Sequence, residues 1–125
     1  LVPNDEFDPL PYYYRPVVGH IYRHRLQMGL RLIPDGGRRV LEIGVGSGIL
    51  VPSLTAGFPE YVGTDLRLAR GLESLVTPGC SAIFQVADLL DPNAVPAGAF
   101  DVVVGLSVLE HIADADAAAR CLARA

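Results

Sequence analysis

The sequence has no lysine: all ten basic residues are arginine, set against fourteen acids, for a formal net charge of −4 and a pI near 5.2. A surface that binds nucleic acid by neutralising phosphates needs the opposite balance, so no nucleic-acid partner is expected. The missing lysine itself reads as the codon bias of a GC-rich genome. Long apolar runs are missing too. None reaches the roughly 18 to 20 residues that cross a bilayer, and no basic-then-apolar leader opens the chain, so no membrane partner is expected and the cytoplasm is the expected location. Cysteine is scarce: Cys80 and Cys121 stand far apart without metal-ligand spacing and read as two reduced thiols. His20 and His24 lie four apart and would share a helical face. No third or fourth ligand stands near them, so no metal site is expected.

What is present suffices for one domain, since 125 residues, half of them apolar, can bury a single core. The chain turns on the stretch from Arg39 to Leu50, where a β-branched run ends in Glu42 and three alternating glycines, after which apolar residues resume at helical spacing. It reads as strand, glycine turn, helix, which is half of a βαβ unit. A buried parallel strand would put this turn at its carboxyl end, where open α/β sheets bind ligands. Glycine there allows backbone angles that a Cβ forbids and lets a ligand approach the main chain. A dinucleotide fingerprint would need a glycine at the sixth position of the turn, and counting from Gly44 that position is Ile49.

The pattern is instead Glu42-x-Gly44-x-Gly46-x-Gly48. It resembles the first motif of the class I S-adenosylmethionine-dependent methyltransferases. The resemblance implies an α/β fold of Rossmann-like type, with the glycine turn beside the methionine part of the cofactor. It also implies that Glu42 supports the turn and the cofactor's amino end. A second carboxylate agrees: Asp65 ends the next strand, Glu60 to Thr64, about twenty positions after Gly44, where such units set an acid beside a ribose. A carboxylate accepts from two vicinal hydroxyls at once. Asp65 can equally cap a helix predicted from Leu66 to Val76. The resemblance gives Leu66 a contact with the adenine. It assigns Asp88, after the third strand Ser81 to Val86, to the adenine amino group, and the backbone of Leu89 to a ring nitrogen. The fourth strand, Phe100 to Leu106, is followed by Ser107-Val108-Leu109-Glu110-His111-Ile112. That segment resembles the post-strand segment of the small-molecule methyltransferases often called type 11, in which the backbone at Leu106 and Ser107 faces the methionine moiety. Ser107 and His111 are then candidates for the acceptor lining. His111 is a candidate general base, because an unperturbed imidazole titrates near neutrality, or else a structural histidine.

Around this frame, four prolines make Leu1 to Pro16 an expected extended arm. Its Tyr12, Tyr13, Tyr14 and Arg15 either cover the site or pack the arm onto the domain. Apolar residues from Val17 to Ile33 fall at helical spacing. Gly48 to Ala56 is the expected crossover helix, Asp101 a structural acid at the entry end of its strand, and Asp114 the cap of a final helix. The expected strand order is 3-2-1-4. Residues 17 to 125 are expected to be a truncated piece of the domain, because the resemblance implies seven strands and the chain stops inside an apparent helix. The resulting expectation is in-line methyl transfer from S-adenosylmethionine to a small-molecule acceptor. Two alternatives stand beside it: a non-catalytic cofactor-binding or dimerising module with the same fold, the exposed sheet edge being where a homodimer would form, and a nicotinamide-dependent oxidoreductase, against which Ile49 counts.

Overall fold

A computed structural model describes residues 1–125 except 2, 4, 5, 7, 35, 92, 107, 109 and 110. Its elements run α1 (Leu10–Tyr13), α2 (Val18–Arg31), β1 (Arg39–Ile43), α3 (Val51–Gly57), β2 (Glu60–Asp65), a single 3₁₀ turn (Leu72–Leu75), β3 (Ser81–Val86), β4 (Val102–Gly105) and α4 (Ala115–Leu122). The four strands form one parallel sheet in the order β3-β2-β1-β4, as the sequence predicts. Among the described residues, no helix is long and apolar enough to cross a membrane.

The central strand β1 reads as a near-continuous apolar run because both its faces are covered, whereas the edge strand β3 leaves Ile83 and Val86 exposed. On one face, Val40 and Tyr61 pack against Val45, Leu50, Val51, Leu54, Phe58 and Leu72, with Leu26, Leu30 and Ile33 from the α2 segment closing that layer. On the other, Leu41 and Ile43 meet Leu89, Val95, Ala118 and Cys121. Asp114 caps α4, its Oδ1 accepting from the Ala117 N–H at 2.8 Å. Asp101 is structural: its Oδ2 accepts from the N–H groups of Arg38 and Arg39, each at 2.8 Å, and these bonds hold its carboxyl below the usual range. The strand entry end is thereby tied down, away from the glycine turn.

Two expectations need correction. The stretch predicted as a helix from Leu66 to Val76 is a series of bends followed by the single 3₁₀ turn. Gly71 sits at φ 80° just before that turn, and a left-handed residue ends any α-helix reaching it. Leu72 is drawn into the core, 2% exposed, and one buried leucine outweighs the weak propensity of a short helix with a costly nucleus. The arm is not wholly extended either. Leu10–Tyr13 form one helical turn, with Pro11 in its first turn, where a missing N–H costs nothing. That turn anchors the arm, because Leu10 is buried and Gly19 of α2 leaves room for the Tyr13 carbonyl, which accepts from the Arg23 guanidinium.

Candidate functional site

At the end of β1 the chain leaves Ile43 and the N–H groups of Gly44 and Val45 both donate to the Thr64 carbonyl, at 2.8 and 3.1 Å. The turn is thus pinned to β2 before it reaches α3. Gly44 has φ 72°, and an added Cβ would run into the Val108 side chain; both facts demand glycine. Two residues on, the Gly46 N–H donates to Asp65 Oδ2 at 2.8 Å. Asp65 Oδ1 accepts from the Arg67 N–H at 3.2 Å. An ionised carboxylate offers about four lone-pair sites, so Asp65 braces the turn and keeps acceptor capacity toward the space above it. That space is open: an ideal Cβ on Gly46 meets only the Asp8 carboxylate, at 3.7 Å.

Beneath the turn lies Glu42, only 2% exposed. The Tyr61 hydroxyl donates to Glu42 Oε2 at 2.5 Å, and the Thr64 hydroxyl donates to the Glu42 carbonyl at 3.2 Å. Burial pushes the Glu42 carboxyl up to about 8; the Tyr61 hydrogen bond works against the rise and the Asp65 charge adds to it. The register explains how Tyr61 reaches it. Tyr61 pairs with Val40 and Gly63 pairs with Glu42, so the tyrosine ring must lie across position 63. A Cβ there would be 2.6 Å from the Tyr61 hydroxyl and 2.8 Å from Val45 Cγ2. Gly63→Ala is therefore expected to cost about 1 to 3 kcal/mol through overpacking, read as a lower urea midpoint. An unchanged midpoint would show that the ring can move aside freely.

A cavity of about 1140 Å³ gathers most of the sequence candidates: Glu42, Gly44, Gly46, Asp65, Leu66, Asp88, Leu89, Leu106 and His111 all line it. Asp88 is exposed at the β3 exit, its Oδ1 accepting from the Leu90 N–H at 2.9 Å. Leu66 is 66% exposed, whereas the Leu89 side chain is buried in the core on the α4 face. Leu106 lies against Gly29 of α2. His111 is exposed, with its N–H donating to the Val108 carbonyl at 3.0 Å. Gly48 does not line the cavity; a Cβ there would press on Leu72 and Leu75 instead. Ser107 lies outside the described residues.

The opposite wall was only partly legible. Asp8, Tyr12 and Tyr13 of the arm and Tyr22, His24, Arg25, Met28 and Gly29 of α2 line the cavity too. Tyr12 stacks on Tyr22 at 5.8 Å between ring centroids and Tyr13 meets it edge-on at 5.2 Å, so Tyr12 and Tyr13 both pack the arm and line the site. Tyr14 does neither, being 73% exposed. The signal in the sequence was the row His24, Met28 and Leu32 at spacing four, one edge of a helix. Carboxylates mark the strand side of the cavity, and Arg25 with His24 marks the helix side.

Residues 18–125 match the family model of a methyltransferase domain. The chain belongs to that family. A ubiquinone biosynthesis O-methyltransferase of Thiobacillus denitrificans is 32% identical over 117 residues, which are 90% of this chain and 46% of that relative, so the chain spans under half of its length. Among solved structures, the putative methyltransferase of Haloferax volcanii in complex with a methyltransferase activator has a TM-score of 0.70 at 23% identity, covering 85% of this chain and 49% of the other. An amino pentose methyltransferase of Micromonospora echinaspora, solved with S-adenosylmethionine bound, has a TM-score of 0.57 at 22% identity, covering 89% and 52%. At these identities the two structures bear on fold alone, which they share with this methyltransferase domain.

Proposed function

We propose that this domain binds S-adenosylmethionine in the strand-end cavity and forms the cofactor half of a methyltransferase that acts on an oxygen of a small-molecule acceptor. One observation carries the reading: three acids, Glu42, Asp65 and Asp88, from the ends of three adjacent strands line one cavity beside a glycine turn. The cofactor presents three matching needs in a row, an ammonium group, a vicinal diol and an exocyclic amine. Glu42 would take the first, Asp65 the second and Asp88 the third, with the Leu89 N–H at an adenine nitrogen and Leu66 against the ring. Leu106, joined by Ser107 on the sequence pattern alone, would follow the methionine part. Gly44 and Gly46 keep the turn low enough for close approach, and Gly48 supports it from below.

When bound, S-adenosylmethionine supplies a methyl group already activated on a sulfonium. What remains for the chain is alignment and exclusion of water. Tyr12 and Tyr13 of the arm and Tyr22 of α2 would give a planar acceptor an aromatic wall, and His111, which lines the same cavity, would accept a proton where the acceptor must lose one. The O-methyltransferase name of the Thiobacillus relative supports oxygen as the acceptor atom. Two free cysteines fit a cytoplasmic location, and the outer edge of β4 is where a second copy would pair into a homodimer.

Calorimetric titration with S-adenosylhomocysteine and, separately, NADH tests the cofactor. Micromolar binding of the first and none of the second is expected. Tight NADH binding, or no heat from a folded protein, would overturn the reading.

A further inference from the structure

Among the described residues, no cation pairs with Glu42. It is nearly inaccessible, and the groups acting on it are Tyr61 and Asp65 from β2, with Cys80 beyond the tyrosine ring. Its β4 neighbour is Val104 and α3 contributes no titratable side chain; Asp8 of the arm and His24 and Arg25 of α2 line the same cavity, and none of them is among the groups whose charge acts on Glu42. Among the described residues, none of the interactions that set its titration comes from a cation. An ionised carboxylate in such a place costs several kcal/mol unless it is paired. Yet Glu42 lines the cavity, so a cation arriving there would supply the missing partner.

We propose that Glu42 is a neutral acid in the ligand-free domain and surrenders its proton when the cofactor's ammonium group enters, with Tyr61 as the positioning residue whose hydroxyl is already aimed at the carboxylate that forms. The proposal rests on the cofactor reading above. The balance is simple: the proton leaves Glu42 for solvent, the cation takes its place as the charge partner, and no bond to the ligand is made. Tyr61 donates to Oε2 in both states, which leaves Oε1 to carry the proton before binding. A hydrogen bond to the ionised form favours ionisation, so the tyrosine lowers the free-energy cost of the exchange. Gly63 is glycine because the ring must cross it to make that bond.

The experiment is titration of S-adenosylhomocysteine into the full chain, in two buffers of different ionisation enthalpy, at pH 7 and pH 9. For an acid titrating at about 8, release of about 0.9 proton per ligand is expected at pH 7 and about 0.1 at pH 9. Glu42→Gln, of the same shape, should lose this release and bind less tightly, and it subtracts any proton exchanged by the ligand or by His24 and His111. Tyr61→Phe keeps the ring and should bind more weakly, with its proton release persisting to higher pH. Heats that do not depend on buffer at pH 7, or a release that is undiminished in Glu42→Gln, would overturn the proton exchange while leaving the cofactor reading intact. An unshifted pH profile in Tyr61→Phe would overturn the role given to Tyr61. No binding heat at all from folded wild type counts against the cofactor reading itself.

Discussion

Asp65→Ala is expected to weaken S-adenosylhomocysteine binding by a hundredfold or more, about 3 kcal/mol or above. Two losses combine. The ribose reading gives the carboxylate a pair of hydroxyl donors, and hydrogen bonds to a charged acceptor are worth about 1.5 to 3 kcal/mol each. The same carboxylate fixes the Gly46 N–H at 2.8 Å, so its removal also lets the turn relax away from the geometry that admits the ligand. Asp65→Asn separates the two contributions. Its amide oxygen can still accept from Gly46, so the turn holds, but the charge and half the acceptor capacity are gone. The alanine variant should therefore bind more weakly than the asparagine variant, and both more weakly than wild type. Calorimetry on variants whose urea transitions remain cooperative is the measurement. Binding indifferent to both substitutions would remove Asp65 from the ribose.

Which parts of this site the sequence made legible follows from the kind of signal each residue leaves. Glu42, Asp65 and Asp88 stand out in the sequence because each lies at or just past the end of an apolar run that reads as a strand, and the resemblance of the motifs is what gives each its expected role. The sheet order follows from the same runs with the resemblance of the motifs. The segment from Leu66 to Val76 misleads because its leucines fit a helical period; Gly71 is the local signal against a helix, while the pull of Leu72 toward Gly48 is a tertiary fact that no local window contains. Tyr61 read as an ordinary strand residue. Its importance lies in a parallel register that sets it beside Val40 with Gly63 beside Glu42, and register is a relation between two strands. Val108 went unnoticed for a like reason, since it closes over Gly44 from sixty-four positions away. The α2 wall is not readable as part of the site: the sequence shows an amphipathic helix, and helical periodicity says which side is apolar and not what faces it.

The stability of the ligand-free protein is expected to fall as pH rises from about 5 to 8, and Glu42 is the reason. Its carboxyl titrates near 4.5 when unfolded and near 8 when folded, raised by burial. Between those values the native state holds a proton that the unfolded state has lost, so the unfolding free energy declines by about 1.4 kcal/mol per pH unit. The stabilisation is full below the unfolded value and gone once pH passes the folded one, a total on the order of 5 kcal/mol. That is a large share of the roughly 5 to 15 kcal/mol that holds a domain together. The other shifted groups act elsewhere. Asp101 is depressed, so its stabilisation is present throughout this window and is lost only in stronger acid, while Tyr61 and Cys80 are raised and bear on alkaline pH. Glu42→Gln preserves an acceptor for the Tyr61 hydroxyl and carries no titrating proton. It should match wild type near pH 5, exceed it by several kcal/mol at pH 8, and give a nearly flat profile between. Urea midpoints measured at half-unit steps across that range decide the matter: a slope of equal steepness in the glutamine variant would place the proton on another group, and wild-type and glutamine profiles of the same flat form would mean that Glu42 is already ionised in its burial site, leaving no proton for a cation to displace.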